Sequence, residues 1–262
     1  MSISLKNLFA GTLVSLGLSF LGTAQAIAAS ITSTVTADNH YGLFYGNKDG
    51  SVLNFVGRNE LGSGGSQGGY NWSNPETWNF NVNRGDYLYM VVWDDQSVDE
   101  SWIGQFEFAT GQTLLSKASD WEYMISENSN PFTRAGQIPV NERDSGHLSG
   151  RFEGNVPKAP ELAYEIQSGN WVNAQRRGAN GISPWGVIPN IDLAADFLNV
   201  TTADSQARGS SANTDYTIFR TRYSIDRLVP EAIPEPTSLL AIFSVGAISA
   251  ATLRQNKNKK QA

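Results

Sequence analysis

Cysteine is absent from the 262 residues, and histidine occurs twice, at His40 and His147. The first absence excludes disulfide scaffolds, cysteine zinc sites, thiolate nucleophiles and covalent haem. The second excludes sites built on clustered imidazoles, and the two histidines have neither the spacing nor the glutamate context of a helical zinc-protease motif. Serine catalysis would have to use His40 or His147 as its base; His147 lies in Asp144-Ser145-Gly146-His147, a loop composition, and reads as an exposed loop residue. Carboxylate chemistry remains open, with 25 Asp and Glu present, but no pair stands out in sequence.

Charge is unevenly distributed. Lys6 is followed by an uncharged apolar stretch, Leu8 to Leu21, and then by small residues at Ala24, Ala26 and Ala28. A basic start, a short apolar run and A-x-A sites predict a secretory signal peptide over residues 1–29, removed by signal peptidase. A buried N-terminal helix fits less well, because the run has no polar face to turn to water. Near the other end, Pro234, Glu235 and Pro236 precede an uncharged run from Leu239 to Leu253, and then Arg254, Lys257, Lys259 and Lys260. With Thr237 and Ser238 the run reaches the lower limit for a membrane-crossing helix, about 17 residues. The basic tail predicts that its own end faces the cytoplasm and the body lies outside.

The order Pro-Glu-Pro, short hydrophobic helix, basic tail resembles the PEP-CTERM sorting signal of Gram-negative bacteria and cyanobacteria. The resemblance covers residues 233–262 and speaks to address, not activity. It implies recognition by exosortase, a membrane-embedded cysteine protease-like enzyme, and an exported protein of the cell envelope, biofilm or exopolysaccharide. A plain membrane anchor explains the helix and the basic tail but leaves Pro234-Glu235-Pro236 without a role.

Residues 30–232 form the predicted body. Removing Lys6 and the four tail cations from the 19 Lys and Arg, and Glu235 from the 25 acids, leaves 14 against 24, a net of -10. Such a surface repels phosphate backbones, so no nucleic-acid partner is expected. Short β-branched and aromatic runs recur: Ser33–Thr36, Gly42–Tyr45, Val52–Val56, Trp78–Val82, Tyr87–Trp93, Ile103–Phe108, Trp121–Ile125 and Tyr216–Tyr223. Turn clusters at Asn47-Lys48-Asp49-Gly50 and Asn83-Arg84-Gly85-Asp86 separate them. Tyr87–Trp93 is apolar on both faces, whereas Tyr216–Tyr223 alternates, with Tyr216, Ile218, Arg220 and Arg222 on one face. The fold class predicted is mainly β, a jelly-roll-like β-sandwich. One helix is predicted, Ile191–Val200, with Leu193, Phe197 and Leu198 on one side and Asp192 and Asp196 near its start. Gly62–Gly69 reads as a flexible excursion, and residues 127–160 as a long loop or a divider between two sub-parts.

Over residues 34–108, the sequence Thr36-Ala37-Asp38-Asn39-His40-Tyr41, the Asn47–Gly50 hairpin, Trp72 to Trp78, and Gly85–Tyr89 into Val91–Asp95 resemble a galactose-binding-like jelly roll. That resemblance implies a binding or structural module. Of seven tryptophans, Trp72 and Trp78 are the candidates for an exposed platform that stacks on sugar rings, and Trp93 is expected in the core. Asp94, Asp95, Asp99 and Glu100 form the densest acidic cluster. Hard oxygens on a turn suit Ca²⁺, the one cofactor considered; the spacing matches no EF-hand, and a solvated turn is the plainer reading. Two functions follow as expectations: a noncatalytic surface or matrix protein with polysaccharide as its ligand, or a secreted glycan-active hydrolase using paired carboxylates.

Overall fold

Strands satisfy their backbone hydrogen bonds by pairing edge to edge and bury their apolar faces by packing against a second layer; twelve strands are present among the described residues, most of them rich in Val, Ile, Thr and aromatic residues. The computed structural model describes residues 29–38, 40–59, 72–93, 101–128, 156–204 and 215–230, all within one unit, Ala28–Ile233. The predicted leader before Ala29, the Pro-Glu-Pro segment with its apolar run and basic tail, the glycine-rich stretch and the Asp94–Glu100 cluster lie outside the described residues.

Two antiparallel sheets pack face to face. The first contains β1 (Ala29–Asp38), β4 (Glu76–Val82), β6 (Ser101–Phe108), β7 (Thr113–Leu115), β10 (Gln175–Ala179) and β11 (Asp196–Asn199), in the order β10-β11-β6-β1-β4, with β7 also on β6. The second runs β3 (Leu53–Arg58), β2 (His40–Gly46), β5 (Tyr87–Trp93), β12 (Thr217–Thr221), β8 (Trp121–Ile125), β9 (Val172–Asn173). The strands before and after residues 127–160 join the same sheets: β8 pairs with β9 through Glu122–Asn173 and Tyr123–Val172.

The period-2 rule places alternate residues on opposite faces. Ile31, Val35 and Ala37 of β1 and Trp102 and Phe106 of β6 meet Leu88, Met90 and Val92 of β5, Trp121 and Phe219 between the sheets. Trp102 and Trp121 touch edge to face, with ring centroids 4.5 Å apart. The outer face of the second sheet carries Phe44, Tyr89, Val91, Trp93, Tyr216 and Ile218, as the doubly apolar β5 demands. It is covered by helix α1 (Ala159–Ser168), whose Leu162 and Ile166 are buried one turn apart. A four-residue helix, α2 (Ile225–Leu228), follows β12. The outer face of the first sheet, with Ile103 and Phe197, is covered by an irregular segment that buries Trp185, Ile188 and Ile191. Asn180 staples that segment: its Nδ2 donates to the carbonyls of Ile188 and Ile191, and its Oδ1 accepts the Ile188 amide.

The predicted helix at 191–200 is a turn followed by β11. Asp192 closes the turn by accepting the Ala194 amide at 2.7 Å, and its carbonyl accepts the Ala195 amide. Phe197 then points outward and its neighbour Leu198 inward, an opposition a strand permits and a single helical face does not. Leu193, expected on the buried side, is 63% exposed.

Candidate functional site

The β2–β3 hairpin turns at Asn47–Ser51. The Asp49 carboxylate accepts the Ser51 amide at 3.1 Å and its hydroxyl at 2.8 Å, which holds its pKa below the ordinary aspartate value. Asn47 Oδ1 accepts the Val52 amide, and the Asn47 carbonyl accepts the Tyr89 hydroxyl at 2.5 Å. Burial pushes the Tyr89 phenol up, so it stays a donor. Gly50 has φ of 70°, and a Cβ there would sit 2.9 Å from Ile166 Cδ1. Only glycine lets the hairpin take this conformation while α1 packs on it.

Beside the hairpin, Arg220 of β12 lies 4% exposed on the outer sheet face, where the alternation of Tyr216–Tyr223 places it. Its Nε and Nη2 donate to Glu122 Oε1 at 2.9 and 2.5 Å, and its Nη1 donates to the Lys48 carbonyl at 2.7 Å. The guanidinium stacks on Trp171, 3.6 Å from the ring centroid. A buried cation is tolerated because it is paired and hydrogen-bonded at once. The result is an open cleft of about 580 Å³ between the hairpin and the end of α1, lined by Lys48, Asp49, Gln167, Trp171 and Arg220 among others.

On the other side of α1, Glu165 is 4% exposed. Its carboxylate accepts the Ser126 hydroxyl at 2.6 Å, the Glu127 amide at 2.9 Å and the Tyr216 hydroxyl at 2.5 Å. The Tyr216 hydroxyl also lies 2.8 Å from Glu161 Oε1. Burial, followed by the hydrogen bond to Glu165, raises the Tyr216 pKa. A smaller cleft of about 220 Å³ lies here, between Met124, Glu127, Tyr164 and Asn170.

The two candidate tryptophans do not form a shared exposed platform. Both are half-buried, and they pack against clusters on different faces of the first sheet. Trp72 packs against the outer cluster, and its carbonyl accepts the Thr36 hydroxyl. Trp78 packs inward: its indole N–H donates to the Tyr41 hydroxyl at 2.8 Å, which donates to Glu76 at 2.7 Å. Its ring lies so close to Gly57 that a Cβ there would be 2.3 Å away. Trp93 is buried, as expected, and stacks on His40 at 5.7 Å. The ring of His40 is fully buried too. Asn59 Oδ1 accepts the Tyr41 amide, which turns Nδ2 toward His40 Nδ1 at 3.3 Å, so Nδ1 accepts and the ring proton sits on Nε2. Gly64-Gly65-Ser66-Gln67-Gly68 has G-x-S-x-G spacing but lies outside the described residues, as does His147.

Asp94, Asp95, Asp99 and Glu100, the calcium candidates, lie outside the described residues; among those described, no group of three or more His, Asp or Glu could hold a metal. No described helix is long and apolar enough to cross a membrane, and the predicted crossing segment lies outside them. The sequence reading missed the Trp171–Arg220–Glu122 group. Its signal was Arg220 itself, a cation on the same strand face as Tyr216 and Ile218. No protein-family model, curated protein or solved structure matches this chain.

Proposed function

We propose that this chain is an exported, noncatalytic protein of the cell surface or extracellular matrix that binds polysaccharide and is sorted through a PEP-CTERM signal. The observation that carries the reading is the ordered set Pro234-Glu235-Pro236, the uncharged run 239–253 and the cations Arg254, Lys257, Lys259 and Lys260. Signal peptidase and exosortase are its partners during maturation, and the uncharged apolar run 239–253 holds it in the inner membrane until processing. Ala26-Ile27-Ala28 stands immediately before β1, so leader removal there leaves every described strand in the exported body.

The finer reading of the sandwich is jelly-roll-like. It is supported by the way successive strands alternate between sheets: β1 to β2, β3 to β4, β4 to β5 and β5 to β6 each change sheet. The noncatalytic part of the reading is supported by how the body uses its buried carboxylates. Glu76 accepts Tyr41, Asp86 closes the 83–86 turn on the Asn83 amide, and Asp196 takes Arg176 and Lys117, so each is committed to structure. The hydrolase reading would call on Glu161 and Glu165, which meet at the Tyr216 hydroxyl, but Glu165 is buried under three donors. Incubation with neutral and acidic polysaccharides, followed by a reducing-sugar assay, tests the point. The expected result is retention of protein on polysaccharide without sugar release. Release that a single substitution such as Glu161→Gln abolishes would establish the hydrolase instead.

A further inference from the structure

The geometry points to the cleft between the β2–β3 hairpin and the end of α1 as a binding subsite for a neutral sugar ring of a polysaccharide. This inference rests on the polysaccharide-binding part of the proposed function and locates it. At about 580 Å³ the cleft lies within the roughly 300–1,000 Å³ of small-molecule sites, and it is shallow and open, as a polymer requires, rather than closed around a monomer.

The lining chooses among ligand classes. An anion needs an uncompensated cation, and none is offered by Arg220: Glu122 takes Nε and Nη2, the Lys48 carbonyl takes Nη1, and Trp171 covers the guanidinium face. The rim adds Lys48 and Asp49, one charge of each sign, with Asp49 held ionised by Ser51. A lipid chain needs a continuous apolar wall, whereas Ile166 and Trp171 stand among amide, amine and carboxylate groups. A pyranose suits both halves of this surface. Its C–H face takes an aromatic ring, and its hydroxyls, each donor and acceptor, pair with the Gln167 amide, the Lys48 ammonium and the Asp49 carboxylate.

The aromatic element is also held in place before any ligand arrives. Arg220 stacks at 3.6 Å, and the Trp171 indole N–H is directed at the Ile166 carbonyl at 3.4 Å. A ring already fixed forfeits little conformational freedom on binding.

The test uses the full-length chain in detergent, screened on an array of neutral and anionic oligosaccharides, with hits titrated calorimetrically. Neutral glycans are expected to bind. Lys48→Ala/Gln167→Ala, which touches only side chains outside the Arg220 network, should weaken binding about tenfold or more while leaving the circular dichroism spectrum and melting temperature unchanged. Trp171→Ala should weaken it further, with Trp171→Phe intermediate. Undiminished binding by the double variant and by Trp171→Ala would overturn the cleft assignment while leaving a polysaccharide-binding protein. Salt-sensitive binding to anionic glycans alone would overturn the ligand class. Failure of the wild-type chain to bind any glycan would overturn both this inference and the polysaccharide part of the proposed function, leaving the sorting claim standing.

Discussion

Glu165 is the polar anchor that fixes α1 to the second sheet, and its replacement separates charge from volume. Glu165→Ala removes three charge-assisted hydrogen bonds, each contributing about 1.5–3 kcal/mol before compensation. Compensation is partial. Tyr216 retains a neighbour in Glu161 at 2.8 Å, Ser126 can turn fully to the Asn128 carbonyl at 3.3 Å, and the part-buried Glu127 amide lies on an exposed residue within reach of water. The net loss expected is about 2–4 kcal/mol, since a small cavity beside Tyr216 adds to the unpaired groups. Glu165→Gln keeps the volume and an oxygen for Ser126 and Glu127, and should cost about 1 kcal/mol. Equilibrium urea unfolding, followed by circular dichroism and tryptophan fluorescence, measures both. A Glu165→Ala variant within about 0.5 kcal/mol of the parent, or a Gln variant as costly as Ala, would refute the role given to this carboxylate.

Asp86 titrates in the opposite sense to a salt-bridged aspartate: burial first, with Asp226 nearby, raises its pKa above 3.8, so the fold favours its protonated form. The stability from that preference is fully present below the ordinary aspartate value and is lost as pH rises through the raised one. Asp86→Asn should flatten this part of the pH–stability curve in melts taken from acid toward neutrality, and an unchanged slope would contradict it. Gly57→Ala forces a Cβ against the Trp78 ring and should destabilise by about 1–3 kcal/mol in thermal unfolding. Arg220→Met strands Glu122, 16% exposed in its side chain, and should cost about 3 kcal/mol or more, much of it recovered in Arg220→Met/Glu122→Gln. Equal losses in the single and double variants would show that the pair is not coupled.

Strands were legible wherever pattern and burial agree. Tyr87–Trp93 is apolar throughout because β5 has a core on each side, and Tyr216–Tyr223 alternates because Phe219 faces the sheet interface while Ile218 faces α1. Elements whose burial is carried by polar residues were not legible. Helix α1 has two buried apolar residues and a buried glutamate, a stripe too thin to signal a helix. In β10, Gln175, Arg176 and Arg177 are exposed at a sheet edge, where cations guard against further pairing and leave no hydrophobic period. Asp192 and Asp196 suggested a helix start, yet one closes a turn and the other takes Arg176 at 2.8 Å. Trp72 and Trp78 were placed by local composition, which carries no information on the long-range partners that half-bury them, the outer cluster for Trp72 and Tyr41 and Gly57 for Trp78. Trp171 acquires its setting only when β12 and the β2–β3 hairpin, both far from it in the chain, come together beside the end of α1.

Intact-mass analysis of the protein recovered from the native cell surface tests the central claim most directly. The account predicts a chain that starts near Ala29 and has lost the hydrophobic run and basic tail, ending near Pro234-Glu235-Pro236. A surface-exposed chain still carrying Leu239–Leu253 and ending at Ala262 would contradict sorting by exosortase and leave a plain membrane anchor in its place.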